Sequence, residues 1–354
     1  MNPNNNVDIL ISEVGPRDGL QSVSATMPTA LKLQWLTALA DAGLKEIEVG
    51  SFVSPKLLPQ MADAAELVAH MRQRSEVFVT ALVPNLKGAE AAFNAGVQKI
   101  TLPISVSEPH SLANIRKTHQ QVYDEVRAVM ALRNERFPHV EVEAGLSTVF
   151  GCTIQGEVPE DDVLRMALTM VELGVDEVGL ADTVGYANPA QVRRVFTRLR
   201  HEIGSKAGSA HFHNTRGQGL ANVVAALDVG VTTIDASQGG IGGCPFAPGA
   251  AGNLATEDLV LMAEASGYTT GISLDSLLDI IQRFLFEELD EEGRRTPDST
   301  LIFPRYHQLD CVRKLEASSA LKGAGTNYLV QHSAGSGKSN SIAWLAHRLA
   351  SLHD

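Results

Sequence analysis

The chain has 354 residues and is 44% hydrophobic, enough to bury a sizeable core in one large domain or two ordinary ones. Its net charge of −12 argues against a general nucleic-acid binder or a protein of anionic membrane surfaces. Three widely separated cysteines, Cys152, Cys244 and Cys311, form no disulfide framework and point to a reducing, cytoplasmic setting. The first residues lack the basic-then-apolar pattern of a secretion signal, and no apolar run approaches the roughly 20 residues a membrane span requires.

Short β-rich runs alternate with helical patterns from the start. The strands are read at 7–14, 44–50, 76–83, 97–104, 140–147, 175–182, 209–214 and 231–237. The helices between and after them are read at 29–43, 61–73, 86–96, one long helix at 108–135, then 161–174, 189–204, 220–230 and 257–267. Eight strand–helix units over residues 7–267 predict an α/β fold with a parallel sheet closed into a TIM barrel. A doubly wound open sheet is the alternative, but no GxGxxG follows the first strand.

Active groups of such barrels sit at the C-terminal ends of the strands. Chemistry-bearing residues fall there: Arg17 and Asp18 after the first strand, Glu48 and Ser51 at the second, Ser147 after the fifth, and Asp182 at the sixth. His211 and His213 end the seventh, and Cys244 and Asn253 lie beyond the eighth. On a strand, the two histidines of His211-Phe212-His213 share one face and make half of a divalent-metal site, whereas on a helix they would diverge by roughly 200°. Strands 7, 8 and 1 are neighbours once the barrel closes, so Asp18, His211, His213 and Asn253 can meet at one ion. An isolated HxH is also compatible with two satisfied histidines at a strand end, Arg17-Asp18 with a surface ion pair, and Asp182 with a carboxylate capping the next turn.

The segments GPRDGLQ (15–21), IEVGSFVSPK (47–56), VPNLKGAEAAFNAG (83–96), LADTVG (180–185) and GGIGGCPFAPGAAGN (239–253) together resemble the 3-hydroxy-3-methylglutaryl-CoA lyases over roughly residues 7–290. The resemblance implies a carbon–carbon lyase of acyl-CoA substrates that works as a homo-oligomer, most simply a dimer. It also implies Mg²⁺ or Mn²⁺ held by Asp18, His211, His213 and Asn253. That cation would chelate the tertiary hydroxyl and an acyl oxygen, so that loss of the hydroxyl proton drives retro-Claisen cleavage. Arg17 would then stabilise the enolate and Cys244 protonate its carbon, with Glu48 and Asp182 as proton-shuttle or supporting groups. The 239–252 stretch has six glycines in fourteen residues and can close over a substrate with Cys244 at its tip. Cys152 reads as structural.

Departures from the family pattern bear on the acyl group more than on the reaction. The usual His-Cys-His followed by Asp-Thr-Tyr is replaced by His211-Phe212-His213 and Asn214-Thr215-Arg216, and Thr153 replaces a proline. Phe212 is expected to point away from the metal, and Arg216 to add a cation near the mouth that could meet a phosphate or a second carboxylate.

Residues 296–354 read differently, with six Lys/Arg against four Asp/Glu in an otherwise acidic chain. LIFPRYHQLDCVRKLEAS (301–318) and YLVQHSAGSGKSNSIAWLAHRLASLHD (328–354) resemble the opening of the ATPase motor of type I restriction translocating subunits. The resemblance implies a P-loop at 335–339 with Lys338 on phosphate, and Gln308 as adenine reader. No second strand supplies a Mg²⁺-binding acid or arginine finger, so a fused fragment without ATPase activity is expected. The organisation expected is thus an acyl-CoA lyase barrel at 1–295 and a truncated P-loop segment at 296–354. A condensing enzyme of the isopropylmalate synthase type stands as rival within the class. An ATP-driven nucleic-acid motor is the rival from a different class, and a barrel kept only for binding is a third reading.

Overall fold

A computed structural model describes residues 7–243 and 252–283. The chain divides into two compact units, Met1–Leu277 and Leu278–Asp354. The expected boundary near residue 295, and the whole P-loop-like segment, lie outside the described residues.

Eight parallel strands close in sequence order into a barrel: β1 (Leu10–Glu13), β2 (Glu46–Ser51), β3 (Phe78–Leu82), β4 (Lys99–Ser105), β5 (Glu141–Ser147), β6 (Glu177–Asp182), β7 (Ala207–Phe212) and β8 (Thr233–Ala236). Closure comes from β1 pairing with β8, with Ser12 opposite Asp235. The helices are α1 (Thr29–Asp41), α2 (Ala64–Met71), α3 (Leu86–Ala95), α4 (Glu108–Asn114), α5 (His119–Arg136), α6 (Glu160–Glu172), α7 (Pro189–Ile203), α8 (Gly219–Leu227), α9 (Thr256–Ala265) and α10 (Leu274–Arg283). No helix among the described residues is long and apolar enough to cross a membrane.

Strand residues such as Ile47, Val79, Ile100, Val142, Val178, Ala210 and Ile234 are fully buried. These β-branched and small side chains form the layer on which the helices pack. The alternate positions near the N-terminal ends of the strands are ionic. Lys99 Nζ lies 2.7 Å from Glu46, 3.5 Å from Glu143 and 3.8 Å from Glu177. Burial alone would lower the Lys99 pKa, but the three carboxylates raise it well above its ordinary value. This cluster plugs the barrel below the site.

Two expected elements differ. The long helix at 108–135 is broken: Ile115 ends α4, Arg116 takes a left-handed φ of 59°, and α5 starts afresh. Thr118 and Gln121 form a reciprocal capping box at the new start, which outcompetes continuation of the helix. The seventh strand, expected at 209–214, runs Ala207–Phe212, so His213 lies just past its end. There His213 makes an isolated antiparallel bridge with Asn253 instead of a ladder pair on β8.

Candidate active site

The site starts in the turn after β1. Gly15–Gly19 forms one π-helical turn, wholly buried, with Pro16 in its first positions. The wider winding of such a turn is a recurrent device at functional sites. It is pinned by Glu13, whose Oε1 accepts the backbone N–H of Gly15 at 2.9 Å and of Gln238 at 2.8 Å, while Oε2 accepts from Thr256 Oγ1 at 2.6 Å. A single carboxylate thereby ties the β1 turn to the connection that follows β8. Burial pushes the Glu13 carboxyl up to about 7 despite those three donors.

The turn sets Arg17 and Asp18 at the barrel mouth. Arg17 Nε donates to Glu48 Oε2 and Nη1 to Asp18 Oδ1, both at 2.5 Å. Burial opposes the guanidinium charge, but Glu48 and Asp18 hold its pKa above the ordinary value. Burial likewise opposes the Asp18 charge, yet Arg17, His211 and His213 bring its pKa below the usual carboxylate value. Glu48 goes the other way: burial, with Asp235 and Asp18 adding repulsion, outweighs Arg17 and raises it to about 7.

One ligand atom from each of Asp18, His211 and His213 lies within 4.8 Å of the others. The two imidazole centroids are 5.1 Å apart. His211 Nδ1 is 3.1 Å from Asp235 Oδ2, which leaves Nε2 for an ion, the usual carboxylate–histidine arrangement at metal sites. Burial would lower the His211 pKa, but the hydrogen bond and charge of Asp235 and the charge of Asp18 raise it overall.

Asn253 reaches the cluster because the chain doubles back. Asn214 N–H donates to Gly252 O and Ser237 N–H to Leu254 O, laying 252–255 beside the ends of β7 and β8. Asn253 Nδ2 donates to Asp18 Oδ2 at 2.6 Å and Ile241 O at 3.1 Å, while its buried Oδ1 has no hydrogen-bond partner among the described residues. An orphaned amide oxygen beside a carboxylate and two imidazoles is a donor set that a divalent cation satisfies. Gly242, at φ 123°, lies against this group, and a Cβ there would collide with the Asn253 amide and the Asp18 carboxylate.

The other sequence candidates separate. Asp182 accepts the backbone N–H groups of Tyr186 at 2.8 Å and Ala187 at 3.1 Å, so it holds the β6–α7 connection. Burial raises it to about 6, with those bonds partly offsetting. Phe212 is fully buried and packs 6.2 Å from Phe150, on the face away from the two histidines. Arg216 is exposed, with its guanidinium 4.1 Å above the Tyr186 ring. Cys152 is a buried thiol whose Sγ accepts from the Ile154 and Gln155 N–H groups. Cys244 lies outside the described residues.

Asp235 and Glu13 were not among the candidates read from sequence. Asp235 was findable: it alternates with buried Ile234 and Ala236 on β8 and is the register partner of His211. Glu13 carried no signal beyond standing before GPRDG.

Residues 8–283 match the model of the HMGL-like family. The chain belongs to that family. Among HMGL-like relatives, the hydroxymethylglutaryl-CoA lyase YngG of Bacillus subtilis is 40% identical over 270 residues, covering 76% of this chain and 90% of the relative. The 3-hydroxy-3-isohexenylglutaryl-CoA/hydroxymethylglutaryl-CoA lyase of Pseudomonas aeruginosa is 40% identical over 275 residues, covering 78% and 91%. An HMG-CoA lyase structure from Acinetobacter baumannii, in complex with coenzyme A and 3-methylmalate, aligns with a TM-score of 0.75 at 35% identity, covering 92% of this chain and 98% of that one. The HMGL-like match ends at residue 283, so the P-loop-like segment stands outside it.

Proposed function

We propose that the protein cleaves 3-hydroxy-3-methylglutaryl-CoA, or a close 3-hydroxy-3-methylacyl-CoA, to acetyl-CoA and a 3-keto acid such as acetoacetate. The observation that carries this reading is the convergence of Asp18, His211 and His213 around one point, with the Arg17 guanidinium bonded to Asp18, inside an HMGL-like barrel. The named activities of the Bacillus and Pseudomonas relatives support it, and the Pseudomonas name adds a longer, unsaturated 3-substituent, isohexenyl, to the substrates of that relative.

Mg²⁺ or Mn²⁺ held by Asp18, His211, His213 and Asn253 Oδ1 would supply the Lewis acidity that lowers the pKa of the substrate's tertiary hydroxyl. Loss of that proton turns the oxygen into a carbonyl and breaks the C2–C3 bond, whose electron pair passes into the thioester enolate. Arg17 is a fixed cation for the enolate oxygen, and its bond to Glu48 keeps it from folding onto Asp18 alone. Glu48, with its carboxyl near neutrality, is suited to carry the hydroxyl proton away. Cys244 returns a proton to the enolate carbon, a role that suits a free thiol of ordinary pKa ~8.5. A reducing, cytoplasmic setting keeps that thiol competent and agrees with Cys152 being a free thiol.

The test is acetyl-CoA release from HMG-CoA in a coupled assay. EDTA should abolish it and Mn²⁺ or Mg²⁺ restore it. Full turnover by metal-stripped protein, or net consumption of acetyl-CoA in a condensation, would overturn the reading.

A further inference from the structure

The acceptor capacity of the Asp18 carboxylate is nearly filled by the protein itself. An ionised carboxylate only accepts, with about two acceptor sites on each oxygen. Arg17 Nη1 donates to Oδ1 at 2.5 Å, and Gln21 Nε2 donates to the same oxygen at 3.2 Å. Asn253 Nδ2 donates to Oδ2 at 2.6 Å. Oδ1 is therefore covered by two donors, and the lone pair left over belongs to Oδ2.

Gln21 reaches Oδ1 because the chain keeps winding after β1. The π-helical turn Gly15–Gly19 runs on into Leu20, whose N–H donates to Gly15 O and Arg17 O, and Gln21 follows three residues beyond Asp18. Residues at that spacing meet on one side of a helical turn. The Gln21 amide turns its nitrogen to Oδ1, since that oxygen has nothing to donate. The Asn253 amide is oriented by the same rule. Its Nδ2 serves Asp18 Oδ2 and Ile241 O, so its buried, unpartnered Oδ1 is the atom left for an ion.

Divalent cations differ in what they ask of a carboxylate. Ca²⁺ takes about six to eight oxygens in an irregular shell and binds carboxylates through one oxygen or both, whereas Mg²⁺ demands a near-ideal octahedron. Mn²⁺ also takes octahedral sites. Both oxygens of one carboxylate subtend far less than a right angle at a bound ion, so chelation by the pair suits the larger shell and not the octahedron. A donor on Oδ1 does not hinder an ion seated on Oδ2. Ca²⁺, however, must displace that donor to gain the second oxygen.

We infer that Gln21 is a positioning residue that, with Arg17, closes Oδ1 of Asp18, so that a cation meets this carboxylate through Oδ2 alone and the site selects Mg²⁺ or Mn²⁺ against Ca²⁺. This rests on the reading of Asp18, His211, His213 and Asn253 as one divalent-metal site. The two imidazoles also disfavour Ca²⁺, which prefers oxygen ligands. They do so with or without Gln21, so its own share is read as a change in the ratio of the two affinities.

The experiment titrates full-length, metal-stripped protein with Mn²⁺ and, separately, with Ca²⁺ in a calorimeter. Gln21→Met, of similar length, should strengthen Ca²⁺ binding about tenfold, the worth of the one hydrogen bond that Ca²⁺ no longer displaces, with Mn²⁺ affinity changed less than about threefold. Gln21→Lys keeps an N–H donor at that reach and should keep the wild-type ratio of the two dissociation constants, because its added charge acts on both ions alike. Crystals of the wild type loaded with Mn²⁺ should show Asp18 touching the ion through Oδ2 only, a result that decides the matter even where Gln21→Met does not fold. Equal weakening of both ions in Gln21→Met, as a merely structural role would give, or an unchanged ratio there would overturn this inference and leave the metal site standing. So would loss of the ratio in Gln21→Lys, or contact of both Asp18 oxygens with Mn²⁺. A wild type that binds neither ion would overturn it together with the metal site.

Discussion

Glu13 offers a sharp test of how the site is built, because one buried carboxylate serves three donors. Glu13→Ala strands the Gly15 and Gln238 N–H groups and the Thr256 hydroxyl. At about 1–3 kcal/mol for each buried donor left unpaired, the loss near pH 5 is roughly 3–9 kcal/mol. Glu13→Gln keeps an oxygen for the two N–H groups and an amide that can donate to Thr256, so it should cost little there. Raising pH separates the wild type from Gln in a defined direction. The folded carboxyl binds its proton up to about pH 7, whereas an unfolded one loses it near 4.5, so wild-type stability falls with pH across that interval. The Gln variant lacks this term. Urea denaturation at pH 5 and pH 8.5 should therefore show the gap opening by roughly 2–3 kcal/mol in favour of Gln. The Ala variant should also bind Mn²⁺ more weakly, since the Gly15–Gly19 turn carrying Asp18 loses its tie. A gap that does not change with pH, or Ala and Gln variants of equal stability and metal affinity, would refute the account.

Three further outcomes are expected. Asp235→Asn should weaken Mn²⁺ binding about 10–100-fold in a metal titration, because His211 loses the carboxylate that orients it; an unchanged affinity would remove Asp235 from the site. Cys244→Ser should lower kcat by roughly 10²–10⁴-fold with KM little altered in the coupled assay, and unimpaired turnover would leave that thiol without a chemical role. The full chain should hydrolyse no ATP with or without DNA in a phosphate-release assay, and DNA-stimulated hydrolysis that vanishes in Lys338→Ala would mark residues 296–354 as a working motor element.

What sequence could show of this molecule follows from what local periodicity encodes. Alternating strand and helix patterns are short-range, so all eight strand–helix units were legible, as was the clustering of Arg17, Asp18 and His211 at strand ends. The break between α4 and α5 was also written locally, in Thr118 and Gln121, but the reading of one helix across 108–135 passed over it. Asn253 is different, since its approach depends on Asn214, Ser237 and Leu254 folding the chain back, a tertiary event without a local signature. His213 shares that fate: strand alternation alone placed it beside His211, whereas its bridge to Asn253 sets it there. Glu13 and Asp235 act through backbone donors and a neighbouring imidazole that only closure of the barrel brings within reach.

The ionic knot at the mouth has a bearing on valence. Arg17 brings one positive charge to Asp18, Glu48 and Asp235, so the group is doubly negative once all three carboxylates are ionised. A dication balances it, whereas Na⁺ or K⁺ leaves a deficit. Protons are the natural competitors, as the raised pKa values of His211 and Glu48 record. Loading the ion must therefore expel protons, and calorimetric enthalpies should differ between buffers of unlike ionisation heat. Near neutrality, acidity and scarcity of metal then act on this protein as a single variable, each able to mimic the other.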